Sequence, residues 1–393
     1  MTQPTTIART ALLAALVALL GTLATDTDAQ QPSAAPNHPF VHPGLLHTRA
    51  DLDRMRQRVA AGDEPWASGF EKLKADAQSR ADWNLRGPFA VVTRDPKGSL
   101  HNAEMYRDAN AAYQNALMWC VSGDERHARK AVEILNAWSA TLRTMDGHDV
   151  QLSAGLYGFK FVNAAELIRH TYPAWRREDV ARFEHMLRDV VYPPIKDFAD
   201  FANGNWDAAC IQTMMAIGVF CDDRTLFDRA VDYYRNGKGN GRLTHYVFNE
   251  SGQCQESGRD QAHTQLGLGL LADACEIAWN QGVDLYGEAD NRLLKGFEYT
   301  AKYNLGEDVP FVPHVDTTGR YCHKAIATDA RGALRPIYEM VLNHYVNRRG
   351  IPAPYTKRAA EKLRPEGVDK GGDHPGFGTL LFTRPPEVKP AER

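Results

Sequence analysis

Residues 203–223 read NGNWDAACIQTMMAIGVFCDD. A polar cluster from Asn203 to Asp207 opens the stretch, an apolar body follows, and Cys221-Asp222-Asp223 closes it. Apolar residues recurring at three- and four-residue intervals over this length describe a helix whose body is core and whose first turn is polar. Residues 250–279 repeat the plan: ESGQCQESGRDQAH leads into TQLGLGLLADACEIAW. Outward from these two, the same periodicity predicts helices over 49–60, 64–79, 104–121, 125–143, 155–171, 177–190, 206–220, 223–236, 258–279, 288–304 and 329–347. Strand-like alternation is confined to short candidates near 243–248 and 378–383. Most connections are short, which makes neighbouring helices antiparallel. The expected fold is all-α, a single (α/α) toroid or barrel of helical hairpins spanning 44–385. Long loops at 80–103, 237–257 and 305–328 are expected at its cleft. No exact internal repeat is visible, which argues against a regular helical-repeat solenoid.

The ends read differently. Arg9 precedes an apolar run from Ala11 to Ala24, and small residues follow to Ala29, so residues 1–29 are expected to be a secretory signal peptide. The run is too short for a membrane span, and no later stretch supplies one. Residues 30–43 read as a Pro-rich leader and 386–393 as a tail. Export to the periplasm or beyond, as a monomer or weak dimer, is the expectation. Six cysteines are widely spaced without a C-x-x-C, which disfavours a zinc cluster, and those in apolar helices read as buried thiols. A net charge of −3 with no basic face argues against nucleic acid. An anionic ligand would then need positive charge local to its cleft.

The two polar clusters carry the chemistry. Backbone N–H groups at a helix start favour a bound carboxylate, and Arg259 adds to that. In these residues the chain resembles the alginate lyase superfamily of polysaccharide lyases, most similarly the thirty-eighth lyase family and more distantly the fifth. The resemblance runs from about His42 to Asn347. It rests on Asp108-Ala109 with Trp119, on Ala131 to Trp138, on Gln151 to Leu156, on Gly204-Asn205-Trp206, on Glu256 to His263 and on Glu298 to Gly306. It implies an α/α toroid that cleaves mannuronan- or glucuronan-type polymers without a cofactor. The fifth family holds the substrate carboxylate with Asn-His and Arg and carries the proton on Tyr. Asn205 and Arg259 look like that Asn and Arg, Trp206 stands where the His follows the Asn, and His263 is a candidate substitute.

Elementary chemistry agrees with the resemblance. Removing the C5 proton of a 4-linked uronate leaves a doubly charged enolate-like intermediate, so the carboxylate must be neutralised by fixed donors. Asn205, Arg259 and His263 are the expected donors. In β-mannuronate and β-glucuronate H5 and O4 share one face, so a single residue can take one proton and return it to the other. The C-terminal end of an outer helix shares the rim with inner-helix starts. This favours Tyr303 as base and acid, with Tyr299 as understudy and His263 as the variant base. Gln151, Asn203, Trp206, Glu256, His101, Tyr106, His323 and Arg331 are expected to bind substrate. No metal-ligand spacing stands out, so none is expected.

Each residue has a plainer reading. Asn205 can be a helix cap, Arg259 a partner of Glu256 or Asp260, His263 a core histidine and Tyr303 a packing residue. Two other functions stay open: an inverting glycoside hydrolase using Glu256, Asp260 or Asp207, and a non-catalytic glycan-binding protein.

Overall fold

A computed structural model describes residues 39–369 and 371–385. The expected signal peptide, most of the leader, and the tail lie outside them. The compact unit begins at Phe40. Residues 40–43, assigned above to the leader, are therefore part of it: Val41 N donates to Gln281 Oε1 at 2.9 Å.

The helices run α1 (Arg49–Ala61), α2 (Trp66–Ala75), α3 (Asn102–Ser122) and α4 (Glu125–Thr141). Next come α5 (Val150–Ser153), continuing through a π turn (Ala154–Gly158) into α6 (Phe159–Thr171), and α7 (Arg177–Met186), continuing through a second π turn (Leu187–Val191) into α8 (Tyr192–Ile195). Then follow α9 (Gly204–Phe220), α10 (Arg224–Asn236), α11 (Leu243–Tyr246), α12 (Gln261–Asn280) and α13 (Glu288–Asn304). The chain ends with α14 (Tyr338–Leu342, extended by a π turn, Asn343–Arg348), α15 (Pro354–Leu363) and α16 (Gly378–Phe382). No helix among the described residues is long and apolar enough to cross a membrane.

The inner helices pack as a ring: α3 on α6, α6 on α9, α9 on α12, α12 on α14, α14 on α16, α16 on α1 and α2, and α1 back on α3. Outside it, α4 covers α3, α10 covers α9, α13 covers α12, and α15 bridges α13 and α14. This closed double ring is the expected α/α toroid. The sequence explains which helix goes where. From Ala208 to Phe220 α9 is buried on every face, as a helix inside a shell must be. By contrast α10 buries only Leu226, Phe227, Ala230, Val231 and Tyr234, a single stripe.

Several local expectations need correction. The strand candidates at 243–248 and 378–383 are single helical turns, α11 and α16. Their apolar residues are too few to distinguish a strand from a buried turn. The helix expected from 329 starts only at Tyr338; Gly332, at φ +86°, and Pro336 break the earlier part. The 64–79 helix stops at Ala75, where Asp76 turns extended and caps a short 3₁₀ turn. True strands are minimal: β1 (Val91–Thr93) pairs parallel with β2 (Thr144–Asp146), and β3 (His314–Val315) antiparallel with β4 (Cys322–His323). All six cysteines are free thiols.

Candidate active site

The N-terminal ends of α9 and α12 lie side by side, and a hydrogen-bonded network joins them. Glu256 is fully buried and collects four donors. Its Oε2 accepts from Asn205 N at 3.2 Å and Tyr246 Oη at 3.1 Å, and its Oε1 from Asn205 Nδ2 at 3.2 Å and Arg259 Nη1 at 2.7 Å. Burial raises the Glu256 carboxyl, with Arg259 and His263 pulling the other way. One layer out, Gln255 donates to Asn203 Oδ1 at 3.0 Å and accepts from Gly204 N at 3.1 Å.

From Arg259 the network reaches His263. Arg259 Nη2 lies 3.1 Å from His263 Nε2, and His263 Nδ1 lies 2.6 Å from Asp260 Oδ2. A guanidinium has no lone pair and a carboxylate no proton, so these contacts assign the tautomer. His263 carries its hydrogen on Nδ1, and its Nε2 lone pair faces Arg259. Asp260 also caps α12, its Oδ1 accepting His263 N at 2.7 Å. Burial alone would raise the Asp260 carboxyl; the bonds from His263 and the charge of Arg259 hold it below its ordinary value. His263 keeps 38% of its side chain exposed and Arg259 30%, against 0% for Glu256. The exposed edge of His263 lines a cavity of about 650 Å³ shared with Leu266, Arg335, Asp369 and Asp373.

Asn203, Asn205, Glu256, Arg259 and His263 thus meet in one network, and the reading of Asn205 changes within it. Asn205 is not a cap, since Asn203 occupies that position. Its amide nitrogen and backbone N–H both go to Glu256, leaving Oδ1 buried without a partner. Of the donors expected for a bound carboxylate, this leaves only the second amide hydrogen of Asn205. Arg259 pairs with Glu256, as its plainer reading held, and still directs a second nitrogen at His263.

The other expected residues make no side-chain hydrogen bond to this network, though His323 borders it. His323 packs over Gly258, where a Cβ would come within 2.2 Å of the His323 Cβ, and its Nε2 is buried without a partner. Trp206 makes edge contacts with His148 and Phe201, each at 6.0 Å between ring centres. Gln151 has a buried Oε1 without a partner. His101, with φ +57°, stacks on Phe89 at 3.4 Å. Tyr106 packs against Tyr157 at 5.7 Å, with the Lys160 ammonium over its ring.

The C-terminal end of α13 does abut the start of α12, because Asn304 Nδ2 donates to Gln261 Oε1 at 3.0 Å. Tyr303, however, is buried beneath the Arg331 guanidinium, 3.9 Å from its ring centre. Tyr299 donates its hydroxyl to Pro310 O at 2.7 Å, and burial raises that hydroxyl well above its ordinary value. Arg331 ties down the end of α13 through Tyr303 O, Glu307 O and Asp308. Tyr246 was missed as a member of the site, and Asp260 was named only as a partner of Arg259 or a hydrolase carboxylate, not as the partner of His263. The spacing Asp-x-x-His at a helix start was a readable signal for that pairing. Tyr246 had none, since its partners are gathered by the turn of the 237–257 loop.

Solved structures share this architecture. An alginate lyase from Bacteroides ovatus aligns with a TM-score of 0.62 at 14% identity, covering 87% of this chain and all of that one. Alginate lyase A1-III from Sphingomonas species A1 aligns at 0.63 and 15% identity, covering 90% of this chain and 100% of that chain. A variant of A1-III complexed with a tetrasaccharide aligns at 0.61 and 14% identity, covering 90% and 99%. At such identities the likeness is one of fold, the helical toroid of a lyase class. No curated protein matches the chain significantly. The sequence profile of the alginate lyase family does match, over residues 70–310. The chain belongs to the alginate lyase family, and it is a polysaccharide lyase.

Proposed function

We propose that the protein cleaves a 4-linked uronic-acid polymer, polymannuronate (alginate) or glucuronan, by β-elimination, leaving a 4,5-unsaturated uronate end. The observation that carries this reading is the Asp260–His263–Arg259 alignment at 2.6 and 3.1 Å. Arg259 takes the substrate carboxylate, which replaces His263 as the partner of Nη2 and leaves the imidazole lone pair free. Nε2 then removes H5 while the guanidinium neutralises the charge gathering on the carboxylate. The electron pair of the C5–H bond becomes the C4–C5 double bond, the C4–O4 bond breaks, and the imidazolium returns its proton to O4. Asp260 holds the ring and stabilises its charged form. Asn205, Glu256 and Tyr246 act through Arg259, as positioning residues.

The tyrosine assignment gives way here to the histidine variant. Tyr299 is tied to a carbonyl, and the ring of Tyr303 is covered by Arg331. A hydrolase loses support because Glu256 and Asp260 are engaged with Arg259 and His263 rather than facing each other across a gap for water. The A1-III complex with a tetrasaccharide supports an oligosaccharide ligand for the shared fold. The apolar run at 11–24 supports export of the enzyme to where such polymers lie.

An ultraviolet assay for the conjugated product, on a panel of uronans, tests the reading. The wild type should generate absorbing ends on at least one polymer. His263→Ala should lose about 10²–10⁴ in kcat, while Tyr303→Phe stays within about threefold of wild type, well short of that loss. A dead Tyr303→Phe beside an active His263→Ala would return the base to the tyrosine. No absorbing product on any uronan would end the β-elimination reading.

A further inference from the structure

We infer that the rim away from this network carries a site for a zinc-type divalent cation, formed by His42, Glu166 and His170. One ligand atom from each lies within 4.8 Å of the other two. Glu166 and His170 are four residues apart near the end of α6, so they share one helix face. His42 comes from the entry segment and crosses to meet them.

The bonding leaves two buried polar atoms unpaired at this cluster. Glu166 Oε1 lies 2.7 Å from His42 Nδ1, where a bound ion would displace any proton between them, and accepts from Gly44 N at 3.1 Å. Glu166 Oε2 is buried without a hydrogen-bond partner, in a residue only 1% exposed. His170 Nε2, also buried and unpartnered, lies 3.6 Å from it, too far for a hydrogen bond. The two imidazoles stack at 4.5 Å with 11° between their planes, so one ring turns about its χ2 when both nitrogens take up the same ion. A cation between the lone pairs would satisfy both orphans together.

Two nitrogens and one carboxylate oxygen are a familiar zinc donor set, with a fourth position for water. The surroundings suit it. His42 Nε2 lies 3.2 Å from Asp222 Oδ1, so a ring bound through Nδ1 has a carboxylate to orient its other nitrogen. The carbonyl end of α6 adds negative potential. The nearby Arg169 is engaged with Glu184 Oε1 and Phe220 O, and Arg49 with His170 O. The bound ion would clip the entry segment onto the α6 end of the ring, far in the chain from Arg259 and His263.

Calorimetry with zinc ion alone, on chelator-treated full-length enzyme, tests this. The wild type should bind one equivalent and melt at a higher temperature with zinc than without. Glu166→Gln and His170→Ala should each lose more than the roughly 10–100-fold in affinity that an outer-shell partner is worth. Lyase activity should stay unchanged, because neither residue touches the cleft. Cobalt substitution in the wild type needs no variant: tetrahedral d–d bands without thiolate charge transfer support the set. No uptake at one equivalent, unchanged affinity in His170→Ala, or a thiolate band would each overturn the assignment.

Discussion

Asp260 serves α12 and His263 through different oxygens, which allows the two roles to be separated by one substitution. Oδ1 caps the helix and Oδ2 orients the imidazole. Asn caps a helix about as well as Asp, so Asp260→Asn should leave thermal stability nearly unchanged. Its neutral amide cannot hold the imidazolium, and an NH₂ facing Nδ1 selects the wrong tautomer. The expected result is a fall in kcat of about 10²–10⁴ with KM little altered. Steady-state kinetics beside a melting curve decide it: a variant retaining a third of wild-type kcat would remove Asp260 from the mechanism. Arg259→Ala should behave differently, raising KM as well, because it deletes the group that receives the substrate and leaves Glu256 buried without its cation.

At the scale of elements, the short turn α11 matters as much as the long helices it touches. Tyr246 reaches across α12 so closely that a Cβ on Gly267 would fall 2.1 Å from its hydroxyl. Gly267→Ala should therefore push the phenol off Glu256, destabilise the protein by about 1–3 kcal/mol and lower activity together. Gly282→Ala is the matched control, since nothing lies within 4 Å of its Cβ position and only backbone strain at φ +81° is added. Equal activity in the two variants would sever Tyr246 from the site. The same contact explains what the sequence could and could not reveal. Helices α9 and α12 were legible because each is an apolar run too long for a strand, and α13 because a buried stripe at helical spacing runs from Leu293 to its end. Turns α11 and α16 were not, since a single buried turn has no period to read. The meeting of Asn205 with Arg259 and His263 followed from two polar helix starts on one rim. The tyrosine roles did not follow, because rim position says nothing about which way a hydroxyl is tied, as Tyr299 and Pro310 show.

At the scale of the whole molecule, the ring is closed by charge as well as by apolar packing. Arg384 pairs with Asp51 at 2.6 Å, Asp51 with Arg54 at 2.6 Å, and Arg348 with Glu276 at 2.8 Å, so the first and last described elements meet on α12. His47 and His344 lie within this buried network, and His374 lies in the final loop. Burial pushes all three down from 6.5, to about 4 for His47, about 3 for His344 and about 4 for His374. Each therefore binds its proton more tightly in the unfolded chain, so its contribution is intact above about pH 6.5 and is lost as pH falls toward 4. Every such histidine removes about 3 kcal/mol over that window. Asp207 opposes them: burial lifts it to about 6, so its protonation favours the fold by a similar amount as pH falls from 6 toward 4. Glu256, Asp273 and Glu366, also raised by burial, act in the same direction as Asp207. Below that range Asp51 and Glu276, both held under their ordinary values, add to the loss as they protonate. Replacing His47 with Gln removes one member of the destabilising set, so the urea midpoint of His47→Gln should fall less between about pH 7 and about pH 4.5 than that of the wild type. An identical fall in the two proteins would mean that His47 is solvated in the folded ring, and that the ring is open where it sits.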